Sequence, residues 1–226
     1  MSTNARISFP EKTRLAVIDL DGTLLKGMNA ERIFFLHLVA RGHISPFRAA
    51  VFIVTFIIDL LRLGLRGAVA TNARFVRGES LKQVRLWARE FGRVFLRRAV
   101  PEDFRAKILS LKRDGYRIII LSGSLQVLVD QLREGLQAEM AIGGDLEVAG
   151  GKLTGRKTGI FPYGRQKVDA LFQRLNAHEI DWAGSWALAD RNSDLPVLDL
   201  VGRPVAVHPD RKLRKLALDR GWEIIG

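Results

Sequence analysis

Asp19 and Asp21 stand one residue apart, directly after the uncharged run LAVI at 15–18 and directly before Gly22 and Thr23. Three settings suit such a pair: a calcium loop, a solvated surface turn, or the end of a buried strand where carboxylates do chemistry. A calcium loop of the helix–loop–helix type needs ligands at its first, third and fifth positions and a glutamate at its twelfth. Counted from Asp19, the fifth and twelfth fall on Thr23 and Ala30, and a β-like run precedes the pair where a helix is required. A surface turn gives no reason for LAVI. The strand end is the stronger reading. Further along stand Ser122 and Gly123 in ILSGS, Lys167 in GRQK, and Asp190 and Asp194 in ADRNSDLPVL. Gathered at one edge, these carboxylates would repel one another strongly at a low effective dielectric. A hard divalent cation with oxygen ligands relieves that repulsion, and Mg²⁺ takes a few carboxylates together with water and substrate phosphate.

The elements that must gather them are legible as short apolar runs and amphipathic stretches. Residues 15–20 read as a buried strand, 117–121 as a second ending in SGS, 186–189 as a third and 203–208 as a fourth. Helical stretches are expected from Pro101 to a stop at Gly115, and over 124–135, 166–176 and 210–220. Residues 139–155 suggest a strand and a hairpin, and 222–225 a last short extension. Alternation of strand and helix from residue 101 onward predicts an α/β fold, a Rossmann-like parallel sheet with helices on both faces. The first strand belongs to that sheet, so residues 1–26 and 101–226 form the expected core and 27–100 an inserted all-helical cap. In such a sheet ligands bind beyond the carboxyl ends of the strands. Asp19, Asp21, Ser122, Asp190 and Asp194 all fall there.

The chain has 226 residues, 47% apolar and 27% charged, a globular composition with room for one core and an insertion. There is no cysteine, which excludes disulfides and thiolate metal sites. The N-terminal MSTNARISFPEKTR shows no apolar targeting segment, so a cytoplasmic location is expected. The net charge is +12, and residues 27–100 hold 13 arginines and lysines against four acids. Such an excess suits an anionic partner.

DLDGTL, ILSGS, GRQK and ADRNSDLPVL, in that order and at these intervals, resemble the four motifs of the haloacid dehalogenase-like phosphohydrolases. The pattern is most similar to the phosphoserine phosphatase-like branch, whose helical cap follows the first motif. The resemblance implies a Mg²⁺-dependent phosphatase in which Asp19 attacks phosphorus to form an aspartyl-phosphate. Asp21 would protonate the leaving oxygen and then deprotonate water. Ser122 and the Gly123 amide would hold phosphate oxygens, and Lys167 would neutralise charge on the phosphoryl group. Asp19, the Asp21 main-chain carbonyl and Asp190 would bind the metal, with Asp194 supporting a metal-bound water or the lysine. Asp21 favours phosphomonoester hydrolysis over dehalogenation, and a phosphotransferase remains an alternative. Arg191 departs from the pattern, which has a small residue beside the metal aspartate. It is expected to point away from the metal or toward a phosphate.

In the phosphoserine phosphatases a glutamate seven residues after the second aspartate recognises the substrate's amino group. That position here is Met28, and Glu31 is the nearest carboxylate, so a zwitterionic substrate of phosphoserine type is the second choice. The segment FRAAVFIVTFIIDLLRLGLR points elsewhere. Placed on a helix, Arg48, Thr55, Asp59, Arg62 and Arg66 fall within about 60° and the remaining surface is apolar. Its uncharged run, residues 49–58, is too short to cross a bilayer. The simpler expectation buries this helix inside the cap bundle, its polar stripe facing the cleft or solvent. The other lays it in a membrane interface at the inner face, beside an anionic lipid phosphate. The apolar cap resembles that of the dehalogenase-like phosphatidylglycerophosphate phosphatases, which implies phosphatidylglycerophosphate as one such substrate. Nucleic acid is not the expected partner, because Trp87, Phe91 and Phe95 follow helical spacing and read as core. A non-catalytic membrane-surface protein is the rival of a different class, and the retention of both Asp19 and Asp21 argues against it.

Overall fold

Leu15–Ile18 forms β1, and all four residues are buried. In the computed structural model, which describes residues 6–71 and 73–226 with the side chains at 65, 66, 69–71, 96 and 97 left aside, β1 lies at the centre of a seven-stranded sheet. Arg66 and Arg97 therefore fall outside the described side chains. Period-two alternation divides β1 between two cores. Ala16 and Ile18 pack with Ile118 and Ile120 on one face, and Leu15 and Val17 with Ile119 and Leu121 on the other. Burial on both faces is what a nearly continuous apolar run requires.

The inserted helices are α1 (Ala30–Ala40), α2 (Pro46–Thr71, broken at Gly64 with φ 67°), α3 (Leu81–Phe91) and the short α4 (Arg97–Ala99) after a π-turn. Ser80 caps α3 by accepting from the Gln83 amide, as its position predicts. The chain then runs through α5 (Glu102–Arg113), β2 (Arg117–Leu125), α6 (Gln126–Leu136), β3 (Met140–Ala149), β4 (Lys152–Thr158), α7 (Gln166–Arg174), β5 (Trp186–Ala189), α8 (Leu195–Leu198), β6 (Arg203–Val207), α9 (Arg211–Asp219) and β7 (Glu223–Ile225). The sheet order is β4-β3-β2-β1-β5-β6-β7, parallel except for the β3–β4 hairpin. The chain leaves β1 toward β2 and later returns on its other side at β5, so the switch point lies at the carboxyl end of β1.

Local differences from the sequence reading have identifiable causes. β2 continues through SGS to Leu125, so the following helix begins at Gln126 and not at residue 124. α7 stops at Arg174, because Asn176 turns its side chain to cap the 3₁₀ turn Ala177–Glu179.

The larger correction concerns α2. Burial of its apolar surface within a bundle fails: Phe47 is 77% exposed, Val54 55% and Leu61 81%. Members of the polar stripe face the protein instead. Arg48 binds Glu79 at 2.9 Å and Asp59 binds Arg74 at 2.6 Å. The helix packs through Ala49 and Phe52, the latter against the rings of Phe35 and Phe75 at 4.8 and 5.3 Å. Trp87 and Phe91 are buried. Backbone bonds from Ala73 to Gly155 and between Gly78, Glu79 and Leu153 tie the insertion to β4.

Candidate active site

The carboxyl end of β1 carries Asp19 into the crevice between β2 and β5, where the Asp19 amide is held by the Leu188 carbonyl. Lys167, on the first turn of α7 and only 5% exposed, reaches the Asp19 carboxylate at 2.5 Å and Asp194 at 2.7 Å. Asp194 stands at the cap position of α8, yet its side chain caps nothing there. Helix capping therefore does not explain it. One oxygen each from Asp19, Asp190 and Asp194 lies within 4.8 Å of the others. Three carboxylates against a single ammonium is the hard-oxygen donor set that Mg²⁺ takes, so these residues fit the expected cation.

Burial and mutual repulsion govern protonation within the cluster. Burial, reinforced by Asp194 and Asp190, pushes Asp19 up to about 8 despite Lys167. Burial and Asp194 push Asp190 up to about 6. Burial works against the Lys167 ammonium, but Asp19 and Asp194 outweigh it and raise its pKa.

Asp21 lies elsewhere. Its carboxylate turns away from that cluster and accepts from the hydroxyls of Ser122 at 3.1 Å and Ser124 at 2.6 Å, and from the Ala30 amide at 2.6 Å. The Ala30 amide belongs to the first turn of α1, whose positive dipole end favours a carboxylate. Its side chain thus points toward the inserted helices, while its main chain stays beside the acidic cluster. Ser122 also accepts from the Ser124 amide at 3.0 Å. Gly123 packs against Phe161 and the Pro162 carbonyl, which a Cβ would meet at 3.2 and 3.4 Å.

Sequence reasoning missed three members. Ser124 had a usable signal, because residues two apart in a strand share a face and SGS extends β2. Thr23, fully buried, lies 3.5 Å from Asp190. Lys157 on β4 is the third. It binds Glu31 at 2.6 Å and the Gly123 carbonyl at 3.2 Å, so the carboxylate nearest the site already holds an ammonium of this chain. Burial raises the Glu31 pKa in spite of Lys157. Arg191 also departs from expectation. It is exposed and turns its Nε to Asp190 at 3.4 Å, pairing with the carboxylate it follows.

Gly22 is the tightest constraint. It has φ 96°, and a Cβ there would stand 2.1 Å from an Asp190 oxygen. Gly22→Ala is expected to displace Asp190 and lower turnover by about 10²-fold, as misplacement of a reacting group does. A steady-state assay with metal titration checks it.

The model of the haloacid dehalogenase-like hydrolases matches residues 16–199. A Streptomyces azureus protein described as an inhibitor of morphological differentiation is 35% identical over 49% of this chain and 40% of its own. A phosphoserine phosphatase of Mycobacterium tuberculosis is 26% identical over 94% of this chain and 70% of its own. The chain thus spans less than half of the first relative and about two thirds of the second. Among solved structures, a Bordetella pertussis protein of unknown function superposes with a TM-score of 0.80 at 24% identity, covering 95% of this chain and 99% of that one. A phosphoserine phosphatase captured with an analogue of its phospho-aspartyl intermediate gives 0.62 at 18% identity, over 95% and 93%. With the motif residues gathered at one sheet edge and a family match across most of its length, the chain belongs to the haloacid dehalogenase-like hydrolase family.

Proposed function

We propose that this protein is a Mg²⁺-dependent phosphomonoesterase working through an aspartyl-phosphate on Asp19. The observation that carries the reading is the buried Asp19–Lys167–Asp194 arrangement beside Asp190, with Asp21 on the opposite side of the same strand end. Asp19 attacks phosphorus as the bond to the leaving alcohol breaks, and Asp21 supplies that oxygen with a proton. Asp21 then takes a proton from water, whose oxygen attacks the same phosphorus and releases Asp19 and inorganic phosphate. The Gly123 amide orients the phosphoryl oxygens, joined by the Ser122 hydroxyl when it turns from Asp21 to the substrate, and Lys167 holds Asp19 in line while offsetting its charge. Mg²⁺, when held by Asp19, Asp190 and the Asp21 carbonyl with Asp194 in support, neutralises the phosphate charge that approaches these carboxylates. Residues 27–100 act as the cap over this site.

The substrate reading is an anionic lipid phosphate, of which phosphatidylglycerophosphate is an example, met at the inner face of the cytoplasmic membrane. The exposed apolar side of α2 supports it. The Glu31–Lys157 pair supports a substrate without an ammonium, since an incoming ammonium would have to displace Lys157. The second reading, a small zwitterionic phosphomonoester, draws on relatives described as phosphoserine phosphatases.

Mg²⁺ at 100 times its Kd is expected to stabilise the chain by about 2.7 kcal/mol, roughly 5–10 °C in Tm. The shift is larger at pH 8 than at pH 6, because protons on Asp190 and Asp19 compete with the cation. Calorimetry on the protein and on Asp190→Asn tests this, and an equal shift in both overturns the metal assignment. A panel of phosphomonoesters, with lipid phosphates in micelles beside O-phosphoserine, decides between the two substrates.

A further inference from the structure

Among the described residues, α2 carries more of the exposed large apolar side chains than any other element. At 100° per residue, Phe47, Val51, Val54, Ile57, Ile58 and Leu61 share an arc of about 120°, and each is 40% exposed or more. A face of that kind, long and unbroken by a charge, marks an interaction surface and not ordinary surface scatter. The single acid of α2, Asp59, is turned inward to Arg74. Arg62 is exposed at the margin of the apolar arc.

We propose that this face docks the protein on an anionic phospholipid surface, with α2 lying in the plane of the headgroups. Charge decides the occupant. Each of the four acids of residues 27–100 is held in an ion pair: Glu31 with Lys157, Asp59 with Arg74, Glu79 with Arg48 and Glu90 with Arg41. The same stretch has 13 arginines and lysines, so its surroundings stay strongly positive. A second copy on this face would bring two such excesses together, whereas an anionic leaflet offers apolar depth and opposite charge at once. Among the described residues no helix is long and apolar enough to cross a membrane. The break at Gly64, with φ 67°, ends the straight part of α2 after 18 residues, Pro46 to Leu63. Arg48, Asp59 and Arg62 leave residues 49–58 as the longest uncharged run in that segment, too short to span a bilayer, which suits a helix lying in the interface.

The inference deepens the phosphatase reading by naming the surface from which a lipid phosphate would reach the site, and rests on that reading for this consequence. The test separates the two. The full chain and the double variant Val54→Ser/Leu61→Ser are sedimented with phosphatidylcholine vesicles and with vesicles that also carry phosphatidylglycerol. Turnover of a soluble chromogenic phosphomonoester is measured alongside. The expected result is binding to the phosphatidylglycerol vesicles that weakens with salt, a loss of roughly 10–100-fold in the variant, and equal soluble turnover in both. Absence of binding by the unaltered chain, or equal binding by both, overturns the docking face. So does light scattering that shows a dimer which the double variant converts to monomer, since a second copy would then cover α2. Vesicle binding that follows the expected pattern in a protein with no phosphatase activity would leave the docking face standing and remove the phosphatase reading.

Discussion

Asp19→Asn is expected to lower turnover of a phosphomonoester by about 10⁴-fold or more, with the fold intact. The carboxylate is the proposed nucleophile, and loss of a nucleophile removes the covalent route and not a fraction of its efficiency. The uncatalysed reaction is so slow that catalysis of phosphomonoester hydrolysis can span ~10²¹-fold, which leaves a large range in which to read the loss. Asparagine keeps the size of the side chain and an oxygen for Lys167, so circular dichroism and Tm should change little beside the kinetics. Trapping the intermediate supplies a second readout: rapid acid quench of the unaltered protein with a labelled phosphomonoester should leave acid-stable label on the chain, and Asp19→Asn should leave none. Near-normal turnover in this variant would remove Asp19 from the mechanism.

Lys167→Met is expected to have the largest effect on stability. The ammonium is buried and bonds two carboxylates that are themselves buried, Asp19 and Asp194. Removing one partner of such a group leaves uncompensated charge, at a cost of about 3–5 kcal/mol. The loss should depend on pH in a definite sense. Asp19 is already raised from 3.8 to about 8 with the lysine present, so the folded chain retains a proton that the unfolded chain releases across that window. Stability of the metal-free protein from this group therefore falls as pH rises from near 4 toward 8. Without Lys167 the fall is steeper, and the variant is closest to the unaltered protein near pH 5, where its lone carboxylates can be protonated. Urea denaturation at pH 5 and pH 8 measures it, and a pH-independent difference would show that the ammonium does not set the charge state of the cluster.

The chemistry of the strand ends was legible in local sequence because parallel strands buried on both faces are written as short apolar runs. LAVI, RIIIL and WALA announce β1, β2 and β5, and the polar residues that follow each run fall at the carboxyl ends without further information. Ser80 and Asp210 announced helix starts for the same local reason: each side chain accepts from an amide three residues on. What was missed at the site depends on partners far away in the chain. Glu31 and Lys157 are 126 residues apart, and nothing in the spacing of either predicts the other. The contact of Asp194 with Lys167 was expected from the family resemblance, whereas the spacing of the two residues, 27 apart in the chain, does not predict it.

The α/β alternation, the four motifs and their order along the chain are legible in the residues alone, because they are read from neighbours within a turn or a strand. The folded chain was needed to see that Asp21 faces Ser122, Ser124 and α1 while Asp19 faces Lys167, and that α2 turns part of its polar stripe inward and its apolar side out. An amphipathic period records that a helix has two unlike sides. Which side meets the protein is set by the ion pairs and rings offered by other elements, here Glu79, Arg74, Phe35 and Phe75, and their positions exist only once the chain has folded.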